Sequence, residues 1–123
     1  MAAQLILHIE DNASNRKIVR HIFRRTDYRL IEATDGEAGL ELALREKPDL
    51  ILLDIQLPKL SGYDVARRLK NDERAKDIPI IAVTSYALNG DDTKALEAGC
   101  DAYIAKPFRP QILLECLEKH LDN

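Results

Sequence analysis

Five short apolar runs, each followed by a longer stretch of helical period, constrain this chain more than any other feature. They are Leu5–Ile9, Leu30–Ala33, Leu50–Leu53, Ile80–Val83 and Ala102–Ala105. Such alternation marks a parallel sheet covered by helices on both faces, because strands buried on both sides read as near-continuous apolar runs. The expected class is therefore α/β, with a doubly wound five-stranded sheet and five helices. The third and fourth runs are apolar enough to be central strands, and the second reads as an edge.

Between the runs, Ile18, Val19, Ile22 and Phe23 form one stripe of helical period, and Ile112, Leu113, Cys116, Leu117, His120 and Leu121 form another. Both stripes are expected to face the sheet. Asp35 is placed to cap the second helix, with Pro48 closing it; Gly99 is placed for a left-handed helix end and Pro110 for a first helical turn. The fourth helix reads as the weak one: Asn89-Gly90 is a turn signal, and an interior glycine costs about 1 kcal/mol against alanine. Its first turn is expected to be mobile. The stretch 1–123 offers no linker, repeat or second-domain boundary, and its length suits one domain with one core.

Composition narrows the class. Apolar residues at 46% and charged residues at 32% describe a globular chain. The apolar run near the start is interrupted by His8 and Glu10-Asp11, too short for a signal or spanning helix, so no membrane role and a cytoplasmic location are expected. Two cysteines, Cys100 and Cys116, give neither a metal spacing nor a disulfide framework and read as reduced and mostly buried. A formal charge of -3 argues against direct nucleic-acid binding. The early cluster Arg16, Lys17, Arg20, Arg24 and Arg25 reads equally well as a solvated helix face or as a docking surface.

The chemistry gathers where the strands end. Ligands of open parallel sheets bind beyond the carboxyl ends of the strands. Here those ends carry Glu10-Asp11, Asp54, Thr84-Ser85 and Lys106-Pro107. Packed carboxylates repel, and a lysine or a bound cation relieves the repulsion. An all-oxygen donor set without a His or Cys cluster suits Mg²⁺. A carboxylate held against cations is also a plausible nucleophile toward a phosphoryl donor, with Thr84 available to a phosphoryl oxygen. Each residue alone has a duller reading. Glu10-Asp11 would suit the positive end of the first helix, Asp54 a loop, and Thr84 an ordinary strand end. The conjunction at four strand ends is what favours a site.

These stretches resemble the receiver domains of two-component response regulators, in order and spacing: Ile9-Glu10-Asp11-Asn12, Pro48 through Asp54, Leu57-Pro58-Lys59-Leu60-Ser61-Gly62, Val83-Thr84-Ser85, and Ala105-Lys106-Pro107-Phe108. The resemblance covers essentially the whole chain and implies a flavodoxin-like sheet in the order 2-1-3-4-5. It implies that Asp54 accepts a phosphoryl group from a phosphohistidine on a histidine kinase or phosphotransfer protein. Asp11 and Asp54 would ligate Mg²⁺, or Mn²⁺ in its place, with Glu10 acting through water and Gln56 through its backbone carbonyl. Lys106 and Thr84 would contact the phosphoryl group, and Ser85 would contribute small size and a backbone NH. Thr84 and Tyr103 would form a switch that alters the surface of helix four, strand five and helix five. That face would meet an unidentified protein target and could also serve a homodimer.

Such a protein is a signalling switch rather than an enzyme, although it catalyses its own phosphorylation. Tyr103 has the duller reading of a packing aromatic. Glu10 stands where Asp is commoner in the family, and Leu57 and Leu60 where Met is frequent. Gln56 and Tyr86 occupy positions that influence attack by water in the family, so slow self-dephosphorylation is expected.

Three alternatives compete. An aspartyl-phosphate phosphohydrolase would need a second Asp where Gln56 stands. A flavin-binding module would need a Ser/Thr/Gly-rich loop where Asp11-Asn12-Ala13 lies. A receiver acting without phosphorylation would have no use for an intact set of acids, hydroxyl and lysine. The start at Met1 just ahead of the first strand favours a stand-alone receiver over an excised one.

Overall fold

The computed structural model describes residues 3–85 and 91–121. Strands and helices alternate: β1 (Leu5–Ile9), α1 (Ala13–Phe23), β2 (Arg29–Ala33), α2 (Gly36–Glu46), β3 (Leu50–Asp54), α3 (Gly62–Lys70), β4 (Ile80–Thr84), α4 (Asp91–Glu97), β5 (Ala102–Ala105) and α5 (Pro110–Leu121). The strands form one parallel sheet in the order β2-β1-β3-β4-β5, as expected, with β3 at its centre and β2 at an edge. β2 begins one residue before its apolar run, at Arg29, and β3 and β4 run one residue beyond theirs at the carboxyl end. Asp54 and Thr84 are their last residues, paired with Val83 and Ala105. Backbone pairing therefore fixes the direction in which both side chains leave the sheet.

Period-two alternation divides the core into two layers. Leu7, Ile9, Ile51 and Leu53 face one side with Val65 and Leu69 of α3, while Ile6, Leu50 and Leu52 face the other with Val19, Phe23, Leu113 and Leu117. Punctuation is as the residues indicate. The Asp35 side chain accepts from the backbone NH of Ala38, Lys47 ends α2 in the left-handed region ahead of Pro48, and Gly99 has φ +108° after α4. The expectation for Asn89-Gly90 lies outside the described residues.

Two expectations about the helices need correction. The stripes of α1 and α5 do not face the sheet across their full width: Ile18 is 55% exposed and Ile112 48%. A stripe of adjacent pairs spans more arc than a sheet covers, so one flank of each helix stays open. Cys100 is buried but Cys116 is only half-buried; both are free thiols whose pKa burial raises, Cys100 to about 12. Among the described residues no helix is long and apolar enough to cross a membrane.

Candidate functional site

The carboxyl end of the sheet brings together residues far apart in the chain. Glu10 follows β1, and its backbone NH donates to the carbonyl of Ala33, which carries it one position beyond the strand. Its side chain is 1% exposed, that of Asp54 5%, and Asp11 beside them is exposed. One carboxylate oxygen from each of Glu10, Asp11 and Asp54 lies within 4.8 Å of the others. Lys106, at the end of β5, places Nζ 2.9 Å from Glu10 Oε1 and 3.8 Å from Asp54 Oδ1. Its own backbone NH donates to the carbonyl of Thr84, tying the lysine to the end of β4.

Three carboxylates against one ammonium leave two formal negative charges in a largely buried cluster. Burying unbalanced charge costs several kcal/mol, so the cluster is suited to a divalent cation with oxygen ligands. The donors are hard oxygens, and exposed Asp11 leaves room for metal-bound water. On this chemistry the residues fit Mg²⁺.

Local structure orients the central acid. Asp54 Oδ1 accepts from the backbone NH of Gln56 at 3.0 Å, a turn that holds the carboxylate over the loop leaving β3. Gln56 Nε2 is buried without a hydrogen-bond partner among the described residues. Behind the acid, α3 comes very close. A Cβ on Gly62 would stand 2.5 Å from both the Asp54 carbonyl oxygen and the Ile55 Cα, and the Gly62 NH donates to the Ile55 carbonyl. Only a residue without a side chain permits this approach, which buttresses the acid from below.

The acid pair lies just ahead of α1, beside its positive end, but does not supply the cap. Neutral Asn12 caps α1 by accepting from the NH of Asn15, and the first turn of α1 holds no acid. Glu10 Oε2 does take the NH of Asn12 at 3.3 Å, but its other oxygen is committed to Lys106. Thr84 is fully buried at the end of β4, Ser85 is exposed beside it, and Tyr103 on edge strand β5 is 39% exposed. Tyr86 lies outside the described residues. The early basic cluster divides into paired and exposed members. Arg20 forms a two-pronged pair with Glu32, and Arg16 donates to the Glu10 carbonyl, while Lys17, Arg24 and Arg25 are exposed.

Sequence reasoning missed two residues here. In the sequence Gly62 reads only as part of a motif; its backbone role depends on how close α3 lies to β3. His8 reads in the sequence as an interruption of an apolar run, yet it is 3% exposed, with Nδ1 lacking a hydrogen-bond partner among the described residues. Burial lowers its pKa to about 4 against the opposing pull of Glu10. A histidine within a buried strand was the available signal.

Comparison with known proteins agrees with this architecture. The family model described as "Response regulator receiver domain" matches residues 6–118. The polar-differentiation response regulator DivK of Brucella anthropi is 40% identical over 118 residues, covering 96% of each chain. The receiver domain of the sensor histidine kinase PA1611 of Pseudomonas aeruginosa, solved with a magnesium ion coordinated in its active site cleft, superposes with a TM-score of 0.91 at 38% identity over 98% of each chain. A putative response regulator from Chloroflexus aurantiacus superposes with a TM-score of 0.93 at 27% identity, covering 97% of this chain and 98% of the other. By sequence, fold and arrangement of acids, this chain belongs to the response regulator receiver domain family.

Proposed function

We propose that residues 1–123 form one receiver unit that takes a phosphoryl group on Asp54 from a phosphohistidine of a histidine kinase or phosphotransfer protein. The observation that carries this reading is the buried Asp54 carboxylate, set between the Lys106 ammonium at 3.8 Å and the acids Glu10 and Asp11. Asp11, Asp54 and the backbone carbonyl of Gln56 would hold Mg²⁺, with Glu10 acting through a bound water. The metal would supply positive charge to offset that of the incoming phosphoryl oxygens.

This chain's own residues do the rest. The Gln56 NH occupies Asp54 Oδ1 and fixes the rotation of the carboxylate, leaving Oδ2 to attack phosphorus. An O–P bond forms as the N–P bond of the donor breaks, and the imidazole nitrogen keeps the electron pair. Lys106 moves from Glu10 toward the new phosphoryl oxygens, exchanging one charge-assisted bond for another. Thr84 and the NH of Ser85 contribute further hydrogen bonds, and Thr84 couples the site to Tyr103, whose half-open position on β5 leaves it free to turn. By the family's pattern, Gln56 and Tyr86 would limit the access of water and so keep the phosphoryl group in place. The surface of α4, β5 and α5 then presents two states to a protein target, biased by about two units of added negative charge.

Intact mass after incubation with Mg²⁺ and acetyl phosphate tests this directly. The native chain should gain one phosphoryl mass, and Asp54→Asn or added chelator should abolish the gain. A folded native chain that binds magnesium and gains nothing would refute the phospho-acceptor reading and leave a phosphorylation-independent interaction module.

A further inference from the structure

Beside the acidic cluster, on the α1/α5 side of the sheet, lies a cavity of about 430 Å³, within the range of small-molecule sites. Its walls are mostly apolar: Val19 and Ile18 from α1, Leu52 and Val83 from the sheet, Phe108 from the connection after β5 and Leu113 from α5. Neither Asp11 nor Asp54 lines it. Glu10 and Lys106 stand at the wall it shares with the acidic cluster, but they are paired with each other at 2.9 Å, so this wall offers no unbalanced charge.

His8 also lines the cavity. It lies two residues beyond Ile6 on β1, and strand alternation sends its ring to the same face as Ile6, toward α1 and α5. There it is 3% exposed, with Nδ1 lacking a hydrogen-bond partner among the described residues. A buried polar atom without a partner is costly, and an apolar chamber around it rewards a molecule that completes the bond while covering the walls.

We propose that this cavity is a binding site for a small uncharged molecule of one or two rings carrying a single hydrogen-bonding group, of the phenol or indole class, held by His8. The ring system covers the aliphatic walls and the polar group meets the imidazole. An anion is disfavoured by the net negative charge of the neighbouring acids, and the mostly apolar walls favour an uncharged molecule. The cavity shares Glu10, Ser85 and Lys106 with the phosphoryl site but not Asp54, and the proposal does not rest on phosphoryl acceptance.

The test uses 1-naphthol as probe, with amide chemical shifts read by two-dimensional NMR on the full chain. Saturable shifts centred on Val19, Leu52, Val83 and Leu113 are expected. His8→Leu should keep the walls and weaken binding about fivefold, the worth of one hydrogen bond. Ile18→Glu, at an exposed position and thus without risk to folding, should also weaken binding by placing a carboxylate at the mouth. Absence of saturable shifts up to the solubility limit of the probe, shifts centred elsewhere, or equal affinity in the native chain and both variants would each overturn the proposal.

Discussion

The two sides of the sheet solve the same packing problem differently. Against α2, α3 and α4 the buried layer is rich in small residues, among them Ala43, Ala66, Ala95 and Ala98, and glycines let the helices approach closely. Against α1 and α5 the buried layer, among the described residues, is built from Val, Ile, Leu and Phe, and it leaves a cavity that His8 lines. Close helix approach gives the first side a continuous core under Asp54. The second side keeps a cavity near the strand ends, where His8 Nδ1 has no hydrogen-bond partner among the described residues. The strands are common to both, so the difference resides in the helices.

Adjacent residues of β3 offer the sharpest contrast. Leu53 is fully buried on the close-packed side, whereas Leu52 lines the cavity on the other. Leu53→Ala should cost about 4 kcal/mol and Leu52→Ala about 2.5 kcal/mol in urea unfolding, since a side chain bordering existing space gives up fewer contacts. Equal costs would remove the packing difference.

His8 should dominate the pH response of the looser side. Its folded pKa of about 4 lies below the ordinary value of 6.5, so the neutral ring is the folded form. The sign follows: its contribution is complete above about pH 6.5 and is lost as pH falls through about 4, when protonation favours the unfolded chain. In metal-free buffer, the stability difference between the native chain and His8→Leu should therefore shift by roughly 3 kcal/mol over that window. A pH-independent difference would show that the ring is not held neutral.

Gly62→Ala probes the tight side just beneath the acid. Its new Cβ would meet backbone atoms of Asp54 and Ile55, which cannot swing away as a flexible side chain does. A loss of about 2 kcal/mol is expected in the same unfolding assay, with slower phosphoryl uptake in the mass assay as the carboxylate is displaced. The smallest effect should erase the contrast altogether. Asn12→Ala and Asp35→Ala remove helix caps on opposite sides, and each should cost about 1 kcal/mol, because an exposed cap does not sense the packing beneath.

Most of the fold was legible because it is written in local period. Runs such as Leu50–Leu53 and Ile80–Val83 name their own strands, and capping residues such as Asp35 and Pro110 mark helix starts without reference to distant residues. The acids, Thr84 and Lys106 were legible as a candidate site for a related reason. Parallel strands all point their carboxyl ends the same way, so a polar residue at the end of each is placed by topology alone.

The sequence by itself therefore determined the element order, the parallel sheet and the group of residues that meets at its rim. Tertiary structure alone decided that Lys106 lies nearer Glu10 than Asp54, that Ile18 and Ile112 stay open, that Gly62 abuts the backbone of the acid, and that His8 faces a cavity. The physical reason is the range of the forces involved. Period and capping act between residues a few positions apart, whereas partner choice and empty space depend on sub-ångström spacing between elements that the chain joins only through long connections.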